Sequence, residues 1–445
     1  MRRKKLRFQT ARRARLRPWA RRGPRIRAPG RPAFGRPGPR RRLAPRFLIL
    51  ATVVAVAALA WVIAQLLRPV PAMALAASTT TVHVLPGVPP RPDWPAQGQA
   101  AVGLPAVGLL GTHGASQPRP IASLAKIMTA YVILRDHPLP AGGSGPQITV
   151  TPADMAAYAS DQQQGQSVVP VAPGEQLSER QALEAMLIPS GNNVADMLAS
   201  WDAGSEQAFV AKMNGLAGSL GLRSTRYTSA SGADAATVST AGDQYRLTVR
   251  ALQIPVFGQI VAMPQVTLPV AGVTSNLNRG LGHDGIVGVK TGTSTESGGC
   301  LAFSAVHTVA GRPVTVVGVV LGIQPTAAQP SMLSGVISAA ENLLGSVSGH
   351  LEQFTIVKPG AVLGSVSSAW ATGPDAVAAT GVSVTAWPGT RVAVTVTPRP
   401  LGGAVHRGQP VAEATVTAGG AVSHVTLIAS QSTGAPPVRW LLTRL

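Results

Sequence analysis

The longest uninterrupted apolar pattern in the chain runs from Phe47 to Leu67, reads FLILATVVAVAALAWVIAQLL and contains no charge. Because a helix rises 1.5 Å per residue, a helix of this length is about 30 Å long, which matches the hydrocarbon core of a bilayer. The run predicts a transmembrane helix, or an uncleaved signal anchor, over residues 47–67. The following PAMALAAS contains Ala-x-Ala patterns that would allow cleavage by a signal peptidase, but the run is longer than a typical signal core, and we favour a retained anchor.

Helical patterns come first in the globular part of the chain, after two short strand-like stretches in QAAVGLPAVGLLG. Three helical stretches follow: the one after Ser123, then LSERQALEAMLIP and SEQAFVAKMNGLAGSLGL. In the second of these, Ser178 and Gln181 have the spacing of a capping box before an apolar stripe, and Pro189 ends the helix. Ser190 therefore lies directly after the end of this predicted helix.

Strand patterns dominate the later part of the chain. The stretch GIVGVKTGTSTESGGCLAFSAVHTVAGRPVTVVGVVLG alternates, turns at Gly311 and returns, which is typical of antiparallel strands. With the preceding helices it predicts an α+β domain over residues 96–348, in which a sheet packs against helices. Residues 352–445 contain β-branched alternations with Pro-Gly and Gly-Gly turns, and they predict a separate small all-β domain.

Charge is distributed very unevenly. Residues 1–46 contain 19 Lys or Arg and no acidic residue, and the rest of the chain is close to neutral although the net charge is +21. We expect this basic, Pro-rich segment to be a disordered cytoplasmic tail that fixes the orientation of the anchor, a reading we favour over binding to nucleic acid or anionic lipid. Residues 68–95 are rich in Pro and Thr and predict a linker between the membrane and the next domain.

Candidate chemistry begins with the sequence Ser123-Leu-Ala-Lys126. Positions i and i+3 share a helix face, so the hydroxyl and the amine could be within hydrogen-bond reach, as in an activated nucleophile. A capping serine followed by an exposed lysine would produce the same spacing. Lysine is rare outside the tail, however, and unlike arginine it can lose its proton in a dry site and act as a base.

Two further short motifs follow in order: Ser190-Gly-Asn192, and Lys290-Thr-Gly292. Each motif alone is weak, since the first could be a turn between helices and the second a strand end. Together, the first at a helix start, the second after a helix and the third on a strand, the three form a specific pattern. The chain resembles the serine-type D-alanyl-D-alanine carboxypeptidases, the low-molecular-weight penicillin-binding proteins, over about residues 97–345 and more faintly in the C-terminal region.

The resemblance implies a β-lactamase/transpeptidase-like fold, with an antiparallel sheet flanked by helices and a helical subdomain. It implies removal of the terminal D-Ala from peptidoglycan stem peptides through an acyl-enzyme, acylation by β-lactam antibiotics, and no need for a metal or cofactor. The catalytic domain is then expected outside the cell on a single-pass anchor, with no specific nucleic-acid partner.

By this resemblance Ser123 is the nucleophile and Lys126 takes its proton. Ser190 relays a proton to the departing D-alanine, and Asn192 holds Lys126 and the substrate amide.

The third motif supplies the substrate-binding residues that the resemblance implies. Lys290 and Thr291 receive the terminal carboxylate, and Gly292 leaves room for substrate along the strand. The backbone N–H groups of Ser123 and Thr293 form the oxyanion hole, although the family often has His at the position of Thr293.

There are two alternatives, a closely related enzyme and a non-enzymatic scaffold. A class A β-lactamase would supply a Glu some 35 residues after the second motif, but no Glu occurs between Glu206 and Glu296, so we do not expect fast deacylation. An inactive scaffold with this fold is the second alternative, and the intact motifs argue against it.

Overall fold

The computed structural model describes residues 45–75, 80–114 and 117–444. The chain divides into two units, Met1–Arg68 and Pro69–Leu445. The described part of the first unit is helix α1 (Pro45–Leu67), which from Arg46 onward is long and apolar enough to cross a membrane. Residues 1–44, to which the prediction of a disordered basic tail applies, lie outside the described residues.

The second unit contains strands and helices in a mixed order. The strands are β1 (Ala74–Leu75), β2 (Thr80–Val84), β3 (Gln99–Leu104), β4 (Gly108–His113), β5 (Arg119–Pro120), β6 (Gln147–Thr149), β7 (Gln176–Ser178), β8 (Val238–Ser239), β9 (Gln265–Leu268), β10 (Gly272–Ser275), β11 (Ile286–Ser294), β12 (Gly298–Val309), β13 (Arg312–Ile323), β14 (Glu352–Val357), β15 (Val362–Ser367), β16 (Thr372–Ala378), β17 (Val382–Ala386), β18 (Arg391–Pro398), β19 (Pro410–Ala418) and β20 (Ala421–Ala429). The helices are α2 (Ala125–Asp136), α3 (Pro152–Gln163), α4 (Glu179–Leu187), α5 (Asn192–Ala203), α6 (Glu206–Ser219), α7 (Ala241–Ala251), α8 (Pro255–Val261), α9 (Met332–Ser348) and α10 (Val438–Thr443).

A five-stranded antiparallel sheet forms the centre of the predicted α+β domain, in the order β11-β12-β13-β3-β4. Residues 298–305 of β12 are buried without alternation, as expected for a strand that is covered on both faces. Helix α9 packs on β12 and β13, and α7 packs on β13 and β3. These contacts confirm the predicted sheet flanked by helices.

Helix α4 is the clearest case in which local sequence determines local structure. The Ser178 side chain accepts a hydrogen bond from the Gln181 backbone N–H, and the Gln181 side chain accepts one from the Ser178 N–H, which is the predicted capping box. The predicted apolar stripe is buried, and it consists of Ala182, Leu183, Met186 and Leu187. The helix ends before Pro189 and leads directly into Ser190.

The C-terminal region has its own sheet and its own apolar core. Seven strands pair in the order β1-β15-β16-β20-β19-β18-β2, and β14 pairs separately with β17. The expected all-β character of residues 352–445 is seen in β14 to β20, and the short helix α10 is the exception.

The interpretation of residues 68–95 as a linker is wrong for part of that segment. Strand β2 pairs with β18, with Val84 opposite Arg391, and β1 pairs with β15. The sequence TTVHV in β2 is rich in β-branched residues, which favour a sheet, and the neighbouring prolines obscured this pattern. The segment therefore adds two edge strands to the C-terminal sheet.

The C-terminal region packs directly on the five-stranded sheet and α9. The indole Nε1 of buried Trp387 donates to the Val347 carbonyl at the end of α9, at 2.8 Å. At the β19–β20 turn, Gly419 has φ +58°, and a Cβ there would lie 1.5 Å from the Val107 carbonyl oxygen. Only glycine allows an approach this close.

Candidate active site

Ser123 lies in a single 3₁₀ turn, Ala122–Leu124, that leads into α2. The sequence predicted that Ser123 opens the helix itself, whereas regular α-helix begins two residues later, at Ala125. The preceding residue, Ala122, has φ +46°, a left-handed conformation that is uncommon outside glycine and that recurs at functional sites. The turn packs against β11, so Ser123 lies beside the strand that carries the third motif.

Lys126 is completely buried, and its amine contacts the first two motifs. The Nζ atom lies 2.9 Å from Ser123 Oγ, 2.5 Å from Asn192 Oδ1 and 2.8 Å from the Ser231 carbonyl oxygen. A neutral amine has two N–H bonds and one lone pair. Because the amide and carbonyl oxygens can only accept, they take the two N–H bonds, and the lone pair then faces the Ser123 hydroxyl. This is the geometry that a general base requires.

The charge state of Lys126 is set mainly by burial. Burial lowers the pKa of Lys126 from 10.5 to about 7, although the carboxylates of Asp196 and Asp161 oppose this change. Burial and the neighbouring Lys126 ammonium also lower the pKa of Lys290 well below its usual value. A substantial fraction of Lys126 is uncharged at neutral pH.

The second motif forms the turn between α4 and α5. Ser190 is buried and has φ +68°, and Asn192 is the first residue of α5. The Asn192 amide accepts from Lys126 through Oδ1 and donates through Nδ2 to Gln166 Oε1 at 2.6 Å. The turn thus brings a residue of the second motif into direct contact with the first.

The third motif lies on β11, at the edge of the central sheet. Lys290, Thr291 and Gly292 are buried, and Thr293 is exposed. A Cβ on Gly292 would lie 2.9 Å from the backbone nitrogen of Ser123, so this glycine is what leaves the Ser123 N–H accessible.

Two contributors to the site have little or no sequence signal. The Ser231 carbonyl is a backbone group, and its only trace in the sequence is the Ser-Gly turn, where Gly232 (φ +80°) allows close approach to Ala122. Gln166 belongs to the polar stretch DQQQGQS, in which composition does not separate one glutamine from another.

Two carboxyl groups that interact with Lys126, Asp196 and Asp161, and a third that interacts with them, Glu206, were not singled out from the sequence. Burial, with repulsion from Glu206 and Asp161, raises the pKa of Asp196 to about 7. Burial also raises the pKa of Asp161. Glu206 Oε1 accepts from the Ala230 N–H at 3.0 Å, beside the Ser231 carbonyl. Among the described residues, no group of three or more His, Cys, Asp or Glu side chains has the arrangement of a metal site.

Residues 96–324 match the family model described as D-alanyl-D-alanine carboxypeptidase. The chain belongs to this family. Among curated proteins, it is 34% identical over 205 residues to a D-alanyl-D-alanine endopeptidase of Pseudomonas aeruginosa, a match that covers 44% of this chain and 62% of that protein. It is 36% identical over 186 residues to the D-alanyl-D-alanine carboxypeptidase DacB2 of Mycobacterium tuberculosis, covering 41% of this chain and 60% of that protein. The chain thus spans about three fifths of the length of these relatives.

The fold of this D-alanyl-D-alanine carboxypeptidase family member also has solved counterparts. The structure of penicillin-binding protein 5 from Haemophilus influenzae aligns with a TM-score of 0.56 and 19% identity, covering 78% of this chain and all of that one. The predicted penicillin-binding-protein fold is confirmed.

Proposed function

We propose that the protein is a serine D,D-carboxypeptidase that removes the terminal D-Ala from peptidoglycan stem peptides ending in D-Ala-D-Ala. The observation that carries this proposal is the buried Lys126 amine, 2.9 Å from the Ser123 hydroxyl, with acceptors on its other sides. Family membership supports the substrate class. The same membership gives no support to the alternatives of a β-lactamase or an inactive scaffold.

In the first step, Ser123 Oγ attacks the carbonyl carbon of the penultimate D-Ala while its proton moves to Lys126 Nζ. Negative charge develops on the carbonyl oxygen, and the backbone N–H groups of Ser123 and Thr293 stabilise it. Such a donor typically contributes about 3 kcal/mol. The C–N bond to the terminal D-Ala then breaks, and the Lys126 proton reaches the leaving nitrogen through Ser190.

The second step hydrolyses the ester formed on Ser123. A water molecule attacks the ester carbonyl, its proton passes to the again neutral Lys126, and Ser123 recovers a proton as the shortened peptide leaves. Penicillins acylate the same hydroxyl, because their ring amide takes the place of the peptide bond.

In this proposal, residues of β11 bind the substrate. The terminal carboxylate binds Lys290 and Thr291, and it supplies the negative charge that allows the buried Lys290 amine to take up a proton. Gly292 allows the peptide to lie along the strand edge as an added partner. The second N–H of Asn192 Nδ2 remains for the substrate amide.

The helix α1 anchors the enzyme in the membrane in this proposal. The 19 basic residues in positions 1–46 support an orientation with the N-terminal side in the cytoplasm and the catalytic unit outside the cell. A protease added to intact cells should then digest the catalytic unit and leave an epitope at the N-terminus protected. Protection of both would refute this topology.

The decisive assay measures D-alanine release from a peptide ending in D-Ala-D-Ala, by wild-type protein and the Ser123→Ala variant. We expect release by the wild type and none by the variant. Cross-linked stem peptides, tested in parallel, measure any endopeptidase activity. Absence of release by a folded wild type, or equal release by Ser123→Ala, would refute the proposal.

A further inference from the structure

A chain of three side-chain amides leads from Lys126 to the protein surface. Asn192 Nδ2 donates to Gln166 Oε1 at 2.6 Å, Gln166 Nε2 donates to Gln164 Oε1 at 3.1 Å, and Gln164 Nε2 donates to Ser160 Oγ at 3.0 Å. Every donor in this amide chain points away from Lys126. The chain ends at the exposed end of α3.

The orientations of the three amides depend on one another. A primary amide has an oxygen on one side and an NH₂ group on the other. Turning one amide over would place oxygen against oxygen or NH₂ against NH₂ at its neighbours. Aligned amides also polarise one another, which strengthens each hydrogen bond. By accepting from Asn192 Nδ2, Gln166 Oε1 therefore favours the orientation in which Asn192 Oδ1 faces the amine.

The side of Asn192 that faces Lys126 decides whether the amine can work as a base. With Oδ1 facing it, the amine donates to Asn192 and keeps its lone pair for Ser123. With Nδ2 facing it, the amide would donate to that lone pair and occupy it. A proton from Ser123 could then not be accepted.

We propose that Gln166 is a positioning residue for the proton transfer from Ser123 to Lys126, because it holds the Asn192 amide with its oxygen towards the amine. Gln164 supports Gln166 in the same way, one step further from the reaction. This inference rests on the proposed function, since it concerns how the base of that reaction is oriented.

The backbone around Gln166 is fixed by contacts that do not involve its side chain. The Asn193 side chain accepts from the Val169 N–H at 2.9 Å and donates to the Val169 carbonyl at 3.0 Å. The Asn192 N–H donates to the Ser167 carbonyl at 2.8 Å. Replacing the Gln166 side chain should therefore leave the segment in place and the protein folded.

The test uses the full chain and compares Gln166→Met with Gln163→Met. Methionine has a similar length but lacks the amide, and Gln163 is an exposed glutamine at the last position of α3, three residues before Gln166. For D-alanine release we expect Gln166→Met to lower kcat about 3- to 10-fold, as for loss of a hydrogen bond between two neutral amides, with KM little changed. Gln163→Met should match the wild type, and Gln164→Met should fall between them.

A second variant, Gln166→Glu, keeps an acceptor for Asn192 Nδ2 and adds a negative charge. The charged groups that interact with Lys126 are Asp161 from α3, Asp196 from α5 and Lys290 from β11, and Glu206 from α6 acts on both aspartates. A further carboxylate favours the ammonium form, so the rise of the rate with pH should move to higher pH. Above that rise, Gln166→Glu should approach the wild-type rate, whereas Gln166→Met should stay slow at every pH.

The inference is wrong if Gln166→Met has wild-type kcat. It is also wrong if Gln166→Met and Gln166→Glu lose the same fraction of activity at every pH. It is wrong as well if both variants unfold at temperatures low enough to explain their lower activity. A folded wild type without D-alanine release would instead refute the proposed function, and with it this inference.

Discussion

Gly292 on β11 and Ser123 in the 3₁₀ turn are so close that a Cβ on the glycine would lie 2.9 Å from the serine backbone nitrogen. The same Cβ would lie 3.2 Å from the Ile121 carbonyl oxygen. Both are tighter than ordinary contacts. A side chain at position 292 therefore either pushes the turn away from the strand or covers the N–H proposed for the oxyanion hole.

The variant Gly292→Ala tests this relationship. We expect a loss of acylation by penicillin of about 10²- to 10³-fold, the effect of removing one oxyanion donor, with the protein still folded. Gly345→Ala on α9 is a matched control, because its Cβ meets no atom within 4 Å. Unchanged acylation in Gly292→Ala would contradict the placement of the oxyanion hole.

The carboxylate of Asp196 should control the pH at which the enzyme becomes active. It favours the ammonium form of Lys126, so Asp196→Asn should lower the pKa of Lys126 and move the rise in kcat/KM to lower pH. Because the pKa of Asp196 is itself raised to about 7, its charge acts on Lys126 mainly near and above that pH. Activity at pH 7, relative to the maximum, should therefore increase, with less change at pH 6. Asp375→Asn removes the same charge from the exposed surface of β16 and should leave the profile unchanged. A shift to higher pH would contradict the assigned charge effect.

Glu179, at the start of α4, should make the stability of the protein depend on pH. Burial raises the pKa of Glu179 to about 7, so the folded state binds its proton more tightly than the unfolded state does. The stability from this group is complete below pH 4.5 and is lost as the pH rises through 7. Glu179→Gln should increase the free energy of unfolding at pH 8 by about 1–3 kcal/mol, with little change at pH 4.5.

Urea denaturation at the two pH values measures this difference. The control is Glu352→Gln, at an exposed position of β14. Equal pH dependence in the wild type and in Glu179→Gln would show that the Glu179 carboxyl is not the source.

The sequence predicted those parts of the structure that depend on residues close together in the chain. The capping box at Ser178 and the i, i+3 spacing of Ser123 and Lys126 are local, and the structure contains both the cap and the contact between these side chains. Strand β2 depends instead on pairing with β18, which is more than 300 positions away in the chain. The Ser231 carbonyl contacts Lys126 and the Gln166 amide contacts Asn192 only through tertiary folding, so no local pattern marks them.

The close approach of Gly419 to Val107 predicts that this glycine stabilises the docking of the C-terminal region. Gly419→Ala should reduce the free energy of unfolding by clearly more than Gly408→Ala. Gly408 also has a positive φ, +82°, but a Cβ there would meet no atom within 4 Å. Gly408→Ala therefore measures the effect of backbone strain alone, a loss of about 1–2 kcal/mol in the free energy of unfolding. Equal losses of unfolding free energy in the two variants would show that the structure around Val107 accommodates the added Cβ without further destabilisation.

The central claim is that a neutral Lys126 amine takes the proton of Ser123. It is tested most directly by the rate at which a fluorescent penicillin acylates the protein between pH 5 and 9, with the modified residue identified by mass spectrometry. The account predicts one label on Ser123, a rate that is half-maximal near pH 7, and no label on Ser123→Ala or on Lys126→Arg, whose guanidinium stays protonated. A label on another residue, or a rate that does not change across this pH range, would contradict it.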